Sequence, residues 1–306
     1  MIWIIGHKGM LGTELSLLLK KTGILFIGTG REVDITDMAA LMHFIEKQEQ
    51  SFDWIVNCAA YTAVDKAEDE FEACHLINTI GAANIAINAK KINARLIHIS
   101  TDYVFDGIGK MDGNGNIRPY REDDSTNPCN VYGITKRDGE LEISVNNPHS
   151  YIIRTAWLYG KYGNNFVNKM LRLMNERSEV KVVNDQRGSP TWTYDLAVAI
   201  IDFIKFGKDI NYGIYHYTNK GNISWYDFAK KINQLGREYG YLDKDCTISS
   251  CTSVEFHSKI KRPVYSVLDI TKTENTLKIK IPLWDESLNN FIKMKLCDNL
   301  CHSAGF

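Results

Sequence analysis

Several features that would place a chain in a specialised class of protein are scarce in this sequence. The 36 lysine and arginine residues are balanced by 37 aspartate and glutamate residues, so the net charge is -1. Such a chain lacks the field that attracts nucleic acid or an anionic membrane, although it can still hold a local anion pocket. No apolar run approaches a membrane span, and the apolar residues 1–5 lack the basic flank and length of a signal peptide. These absences favour a cytoplasmic globular protein with neither nucleic acid nor membrane as a partner.

The seven cysteines do not form a metal-binding pattern. Their number is odd and they are scattered, and neither close pair, Cys246 with Cys251 or Cys297 with Cys301, belongs to a regularly spaced set of four cysteine and histidine residues. Structural zinc requires four cysteine or histidine ligands at short, regular spacings. We therefore expect reduced thiols and no metal.

The chain also has no linker, repeat or low-complexity tract that would separate independent domains. Its 306 residues predict one large unit or two interleaved domains. Short apolar runs alternate with amphipathic segments, which predicts an α/β fold: a Rossmann-type doubly wound parallel sheet with a smaller interleaved α/β substrate lobe. We assign residues 1–160 to a dinucleotide-binding domain, rejoined by about residues 190–220, and residues 161–306 mainly to the substrate lobe.

A glycine-rich turn follows the first predicted strand, at residues 2–5. Gly6, Gly9 and Gly12 are followed by a helical pattern over residues 13–20. The glycines allow the backbone to approach a pyrophosphate, and the helix N-terminus favours its negative charge. The spacing is G-x-x-G-x-x-G and not the more familiar G-x-G-x-x-G, but the order of strand, turn and helix predicts a dinucleotide site.

An arginine occupies the place where NAD-dependent enzymes commonly carry a carboxylate. After a predicted strand at residues 24–28, Arg31 is placed to meet a 2′-phosphate, which favours NADPH, with NADH as the second cofactor. Glu32 lies beside it, and a solvated loop charge is the alternative interpretation of Arg31.

The rest of the pattern gives a series of further elements. The predicted strands are residues 54–57, 95–99, 151–154, 180–183 and 214–218. The predicted helices are a segment capped by Thr36 or Asp37 and ending near Gln50, residues 65–91 in two pieces, and residues 132–144, 164–177, 193–206 and 225–239.

Tyr132 and Lys136 form the candidate acid/base pair. At a spacing of i, i+4 near the start of a helix they share one face. A lysine ammonium favours the phenolate and is expected to lower the tyrosine pKa from about 10, so that the phenol can protonate a reacting carbonyl oxygen. Thr101, at the end of the strand at 95–99, lies on the same edge and can donate a hydrogen bond to that oxygen. A half-buried tyrosine beside a solvated lysine is the alternative, because this spacing is common in helices.

Together these features resemble the extended short-chain dehydrogenase/reductases, and longer blocks resemble the dTDP-4-dehydrorhamnose reductase family in particular. The blocks are residues 57–68, 100–107, 127–133, 154–160, 185–191, 224–229 and 262–269, and the similarity spans residues 1–292. The glycine-rich loop at residues 107–119 looks longer than is usual for this family, and residues 295–306 have no counterpart. We expect the loop to be mobile and close to the site, where it can affect substrate choice.

The resemblance implies reduction of the C4 ketone of dTDP-4-dehydro-L-rhamnose to dTDP-L-rhamnose by a nicotinamide hydride, without a metal and with a homodimer as one assembly. It implies that Thr101, Tyr132 and Lys136 are catalytic. Besides Gly6, Gly9, Gly12 and Arg31, the implied cofactor-binding residues are Met10, Leu11, Asp34, Ile35, Ala59, Ala60, Tyr61, Thr62, Tyr132 and Lys136. The implied contacts to the dTDP-sugar come from Thr101, Asp102, Tyr132 and Trp157, with the ring face of Trp157 packed on the deoxysugar.

Three other functions remain open at this stage. A 4-ketoreductase for another nucleotide-linked deoxysugar would use the same catalytic residues. A non-catalytic regulatory subunit of the methionine adenosyltransferase type would keep only cofactor binding, and a nucleotide-sugar epimerase would retain its cofactor through turnover. Among further residues, Asn78 is a candidate to support the active-site backbone, and Lys261 and Arg262 are candidates to meet a diphosphate, with a surface charge as the alternative.

Overall fold

Strands and helices alternate along most of the chain. The structure, a computed structural model, describes residues 1–256 and 260–303, with residues 296–303 described by their backbone alone. Its strands are β1 (Ile2–Ile5), β2 (Phe26–Thr29), β3 (Trp54–Asn57), β4 (Arg95–Thr101), β5 (Lys110–Met111), β6 (Ile117–Arg118), β7 (Ser150–Thr155), β8 (Leu158–Tyr159), β9 (Glu179–Val183), β10 (Arg187–Gly188), β11 (Thr191–Trp192), β12 (Gly213–His216), β13 (Ile223–Ser224) and β14 (Thr247–Cys251). Its helices are α1 (Met10–Lys21), α2 (Met38–Glu46), α3 (Val64–Ala67), α4 (Phe71–His75), α5 (Gly81–Lys91), α6 (Val131–Asn146), α7 (Phe166–Glu176), α8 (Thr193–Phe206), α9 (Trp225–Glu238), α10 (Thr271–Leu277) and α11 (Trp284–Ser303).

The central sheet has six parallel strands in the order β12-β7-β4-β3-β1-β2. The order reverses at β1, where Ile2 lies opposite Phe26 on one side and Trp54 on the other. In such a doubly wound sheet the crevice for a ligand lies outside the carboxyl ends of the strands at the reversal. The predicted fold class is therefore confirmed, and the crevice is between β1 and β3.

Helices cover both faces of this sheet, as the continuous apolar strands require. Successive side chains of a strand point to opposite faces, so Ile2 and Ile4 of β1 pack with helices α1 and α8, whereas Trp3 and Ile5 pack with α2, α5 and α6. All four of these β1 side chains are buried. The strand thus contributes to two hydrophobic layers at once.

A second hydrophobic core lies outside the central sheet. Helices α7, α9 and α11 supply most of it, together with the parallel pair β9 and β14. Between the segments of this second core, the chain returns to the central sheet, whose two hydrophobic layers form the first core. Helix α8 packs on α1, and β12 pairs with β7 at the edge of the sheet. Residues of both cores therefore alternate along the second half of the chain.

Two predicted helices differ from those in the structure. Residues 65–91 form α3, α4, a π-helical turn at Leu76–Ile80 and α5, and not two pieces. The break after α3 follows from three consecutive carboxylates, residues 68–70, which oppose the negative C-terminal end of a helix dipole. Helix α2 ends at Glu46 and not near Gln50, because the Gln48 side chain donates to the Phe44 carbonyl and replaces a further helical hydrogen bond. Its predicted cap Asp37 accepts hydrogen bonds from Ala39 and Ala40.

Helix α6 is fastened to the sheet by a buried ion pair. The Arg154 guanidinium of β7 donates to both carboxylate oxygens of Glu140, with Nε–Oε1 and Nη2–Oε2 distances of 2.9 and 2.7 Å. Ser100, near the end of β4, also donates to Glu140. Both charged side chains are at most 5% exposed. These contacts fix the height and rotation of α6 above β4 and β7.

The loop at residues 107–119 contains a short antiparallel hairpin of β5 and β6. Asp112 stabilises its turn by accepting from the backbone amides of Asn114 and Asn116. The carbonyl of Gly107 accepts from the amides of Val264 and Tyr265, so the loop is attached to the segment that precedes α10. Within the described ranges, no helix combines the length and the apolar character that crossing a membrane requires.

The close packing of α6 on the π-helical turn makes Gly139 sensitive to substitution. A Cβ there would lie 2.2 Å from the Asn78 carbonyl oxygen, whereas at Gly236 of α9 it would meet leucine side-chain ends at 2.9 Å. We expect Gly139→Ala to lower the free energy of unfolding by about 1–3 kcal/mol, in spite of the better helix propensity of alanine. Urea titrations of both variants measure this, with Gly236→Ala as the matched control. A Gly139→Ala protein as stable as the unsubstituted chain would contradict the packing argument.

Candidate active site

The carboxyl edge of the central sheet carries most of the residues that the sequence singled out. The glycine turn follows β1, residues 58–62 follow β3, and Thr101 ends β4. A cavity of about 980 Å³ opens at this edge. Of the predicted cofactor residues, those lining it are Gly6, Gly9, Arg31, Asp34, Ile35, Ala59, Ala60, Tyr61 and Thr62. The cavity therefore lies at the crevice beside β1 and β3.

The glycine turn forms a tight cradle in which the surrounding backbone leaves no room for side chains at Gly6 and Gly12. Gly6 has a φ of 80°, and a Cβ there would lie 2.7 Å from the Ala59 nitrogen. At Gly12 a Cβ would lie 2.3 Å from the Gly6 carbonyl oxygen. Helix α1 begins after Gly9 with no side-chain cap and no acidic residue in its first turn. Free amides at a positive helix end, next to a bare backbone, suit a pyrophosphate.

Met10, Leu11 and Gly12, which were also predicted to bind the cofactor, do not line the cavity. The Leu11 side chain is 5% exposed and packs in the core with α8. Met10 lies beside Gly163 and Asn165, towards the second core. Any contact that Leu11 makes with a nucleotide would therefore use its backbone.

The loop after β2 presents charges to the same cavity. Arg31 is exposed and has no ion pair among the described residues, whereas Glu32 accepts from the Gly30 amide at 2.7 Å and pairs with Lys8. The hydrogen bond from Gly30 lowers the pKa of Glu32, which stays ionised. The Asp34 carboxylate is turned to Thr36, whose amide and hydroxyl donate to it at 2.9 and 2.8 Å. The free guanidinium on this wall is thus that of Arg31.

Tyr132 is buried in the first turn of α6, which starts where the Asn130 side chain accepts from the Gly133 amide. Burial raises the pKa of Tyr132, and a hydrogen bond with Thr101 opposes this rise. The Thr101 hydroxyl also lies 3.0 Å from the Asp102 carboxylate. Thr101 and Tyr132 are therefore brought together at the carboxyl end of β4.

Lys136 is 1% exposed and lies one turn further along α6. Its Nζ is 2.7 Å from the Ile99 carbonyl oxygen and 3.1 Å from His98 Nε2. Burial lowers the pKa of Lys136 to about 8. The expected lowering of the Tyr132 pKa by a neighbouring ammonium is not found: burial of the phenol dominates and raises it.

Asn78 supports the active-site backbone, as predicted. Its side chain accepts from the Tyr61 amide at 2.9 Å and donates to the Tyr61 carbonyl at 3.1 Å. The same amide group donates to Thr135 of α6 at 3.2 Å. Asn78 lies in the π-helical turn, a conformation often found at functional sites. It links the loop after β3 to the helix that carries Tyr132.

Trp157 packs against the second core. Its ring is stacked on Trp225, with centroids 3.5 Å apart, and a Cβ at Gly188 would lie 2.5–2.7 Å from Trp157 ring atoms, nearest to Cε2. One ring face is therefore covered by Trp225, and Gly188 lies close to the Cε2, Cζ2 and Nε1 side of the indole. The backbone of Trp157 has a φ of 48°, which is unusual for a bulky side chain.

Asp102 retains an unused acceptor. The side chain is 3% exposed, and its Oδ2 has no hydrogen-bond partner within the described part of the chain. Burial raises the pKa of Asp102 to about 6. A buried carboxyl oxygen without a donor suits a ligand hydroxyl. Arg262 is already engaged, because its guanidinium donates to both oxygens of Asp65 at 2.8–2.9 Å.

Several residues around the site were missed by the sequence interpretation. Asn57, His98, Gly188 and Trp225 contact predicted site residues, yet none had been given a role. The signal for His98 was a polar residue inside an otherwise apolar buried strand. In the described ranges no group of three or more His, Cys, Asp or Glu side chains is placed to hold a metal. The side chains of Cys297 and Cys301 are outside the described residues, and the other five cysteines are free thiols.

Comparison with known proteins agrees with this geometry. The family model for the RmlD substrate binding domain matches residues 1–297. The spore coat polysaccharide biosynthesis protein SpsK of Bacillus subtilis is 40% identical over 300 residues, which are 97% of this chain and 99% of that protein.

Two crystal structures are similar over nearly their whole length. A dTDP-4-dehydrorhamnose reductase from Clostridium acetobutylicum has a TM-score of 0.87 and 41% identity, covering 96% of this chain and 98% of that one. A dTDP-4-dehydrorhamnose reductase from Bacillus anthracis in complex with NADP has a TM-score of 0.86 and 36% identity, with the same coverage. The chain belongs to the RmlD substrate binding domain family.

Proposed function

We propose that this chain reduces the C4 ketone of dTDP-4-dehydro-L-rhamnose to dTDP-L-rhamnose with NADPH. The observation that carries the proposal is the contact of Thr101 with Tyr132 at the carboxyl edge of the central sheet, the edge at which the cavity of about 980 Å³ also opens, in a chain of this family. Lys136 lies one helical turn from Tyr132 on the same helix. The choice of substrate follows the names of related enzymes, which are dTDP-4-dehydrorhamnose reductases. One of them is in complex with NADP.

The cofactor supplies the hydride, and a side chain of the protein donates the proton. Tyr132 gives its phenolic proton to the ketone oxygen as the carbonyl carbon is reduced. Its raised pKa means that it carries this proton throughout the neutral range. The Thr101 hydroxyl, which donates to Asp102 in this structure, turns its proton to the ketone oxygen and stabilises the negative charge that develops there. Lys136 stabilises the tyrosinate left behind.

We assign nucleotide binding to the lobe around the central sheet and sugar binding to the lobe around the second core. This division is supported by the glycine cradle after β1 and by Trp157, which stacks on Trp225 of the second core. Within the sugar site, Asp102 Oδ2 accepts a hydroxyl, and Trp157, held by its stacking on Trp225, limits the size of the ring that can enter.

The decisive variant for the chemistry is Tyr132→Phe, which removes the proton donor and keeps the ring. We expect its kcat to fall by about 10²–10⁴-fold while NADPH affinity changes little. The measurement is NADPH oxidation with dTDP-4-dehydro-L-rhamnose, with the exposed Tyr212→Phe as control. Residual activity near that of the unsubstituted protein would exclude Tyr132 as the acid.

The same assay tests the substrate. If the folded, NADPH-binding protein leaves dTDP-4-dehydro-L-rhamnose unchanged, the proposed reaction is wrong. Reduction of another nucleotide-linked deoxysugar, with the product configuration determined by NMR, would then replace it.

Arg31 is expected to determine the preference for NADPH. Arg31→Ala removes the free guanidinium from the cavity wall, so we expect KM for NADPH to rise by about 10-fold or more while KM for NADH changes little. Steady-state kinetics with both cofactors measure this, and Arg172→Ala on the exposed side of α7 is the control. An equal change for both cofactors would show that Arg31 does not meet the 2′-phosphate.

We further propose a homodimer that uses the outer face of α6. Leu141 and Val145 are 58% and 78% exposed there, an apolar surface that a second copy can cover. Val145→Lys is then expected to convert dimer to monomer in sedimentation velocity, whereas Val254→Lys, at an equally exposed valine elsewhere, is not. A monomeric unsubstituted protein would contradict this assembly.

A further inference from the structure

Three buried polar side chains form a line from β3 through β4 to α6. Asn57 Nδ2 is 3.0 Å from His98 Nδ1, and His98 Nε2 is 3.1 Å from Lys136 Nζ. Each residue is 1% exposed. Buried polar atoms must have matched donors and acceptors, so the position of each proton along the line follows from its neighbours.

The orientation of Asn57 is set by the backbone. The Ala59 amide, which can only donate, lies 3.0 Å from one side-chain atom of Asn57, and that atom must therefore be the carbonyl oxygen. The other side-chain atom, which faces His98, is then the NH₂ group. Asn57 thus presents a donor to the imidazole.

A donor from Asn57 fixes the tautomer of His98. Nδ1 must be the bare, accepting nitrogen, and in a neutral imidazole the proton is then on Nε2. The doubly protonated ring would place two donors against each other at Nδ1. Burial also lowers the pKa of His98 well below its ordinary value, which agrees with a neutral ring.

The Nε2 proton points at Lys136. An ammonium has three protons and no lone pair, so only a neutral amine can accept from Nε2–H at 3.1 Å. The amine can still donate one of its own hydrogens to the Ile99 carbonyl at 2.7 Å. All contacts of Nζ in this position are therefore satisfied by the neutral form.

Among the groups around Lys136, the Glu140 carboxylate opposes this form by raising the Lys136 pKa, but burial outweighs it and lowers that pKa. Glu140, one turn away on α6, is held by two hydrogen bonds from Arg154. The pKa values of Cys58, Cys74 and Tyr132 are all raised by burial, so these groups are neutral. No unpaired anion from β3, α4 or α6 therefore faces Nζ among the described residues.

We propose that Asn57, acting through His98, holds Lys136 as a neutral amine in this position, so that Lys136 gains a proton only when Nζ leaves His98. Asn57 and His98 are thus positioning residues that couple the charge of Lys136 to its location. The inference rests on the proposed function only where it assigns Lys136 a role beside Tyr132. The positions of the protons on His98 and Lys136 are a property of the protein in the absence of substrate.

The first test is the tautomer of His98 in the unsubstituted protein. Protonated and bare imidazole nitrogens resonate in separate regions of the ¹⁵N spectrum, and the His98→Gln spectrum identifies His98 among the eight histidines. At about pH 9, above the Lys136 pKa, we expect a proton on Nε2 and none on Nδ1. A proton on Nδ1 would overturn the proposal.

Asn57→Asp tests the direction of control. The substitution keeps the acceptor for the Ala59 amide but replaces the donor that faces His98 by a second acceptor. We expect the proton to move to Nδ1, and the Lys136 pKa, followed by NMR of labelled lysine, to rise by about one unit or more. The matched control is Asn147→Asp: Asn147 is also buried and also accepts from the amide two residues on, but lies at the far end of α6.

The outcomes distinguish an effect of Asn57 that passes through His98, here called the relay, from a direct effect of the new carboxylate on Lys136. A pKa rise without a change of tautomer would come from the added carboxylate alone and would reject the relay. With both changes present, the basic limb of the kcat/KM profile should move to higher pH by the same amount as the Lys136 pKa. Because the NMR results need no substrate, they stand or fall separately from the reduction of dTDP-4-dehydro-L-rhamnose.

Discussion

The buried pair of Glu140 and Arg154 is the contact on which the active-site geometry depends. It joins α6 to β7, and Ser100 adds the end of β4 to the same carboxylate. Removal of one member of such a pair costs about 3–5 kcal/mol, because the other charge is left buried, although the complete pair adds little net stability. Its contribution is therefore to fix one register of α6. Since Lys136 lies one turn before Glu140, that register also sets the heights of Tyr132 and Lys136 above the sheet.

The register of α6 is also connected to the cofactor side of the crevice. Gly139 lets the helix approach the π-helical turn, where Asn78 holds both backbone polar groups of Tyr61 and also reaches Thr135. A displacement of α6 would therefore be transmitted to the loop after β3, which lines the cavity. The proton donor and the nucleotide wall are positioned by one connected set of contacts, which is what a reaction between two bound molecules requires.

The sequence was sufficient to predict what depends on local spacing. The glycine turn after β1 and the shared face of Tyr132 and Lys136 follow from the periods of strand and helix, and both are found in the fold. The stacking of Trp157 on Trp225 and its close contact with Gly188 could not be predicted, because these residues are distant in sequence and meet only in the folded chain. The same holds for the ion pair of Arg262 with Asp65. This pair engages the guanidinium of Arg262, which had been a candidate to bind the diphosphate of the substrate.

Burial explains why the candidate acid and its lysine depart from their ordinary pKa values in opposite directions. Desolvation disfavours whichever form is charged, so it raises the pKa of Tyr132 and lowers the pKa of Lys136. Before reaction both groups are thus biased towards neutrality, and the phenol retains the proton that it must deliver. Negative charge then arises only as that proton leaves, in a region of low dielectric beside the Thr101 hydroxyl. Fixed donors act most strongly on charge that develops in such surroundings. The raised Tyr132 pKa is therefore consistent with an acid whose electrostatic support is concentrated in the transition state.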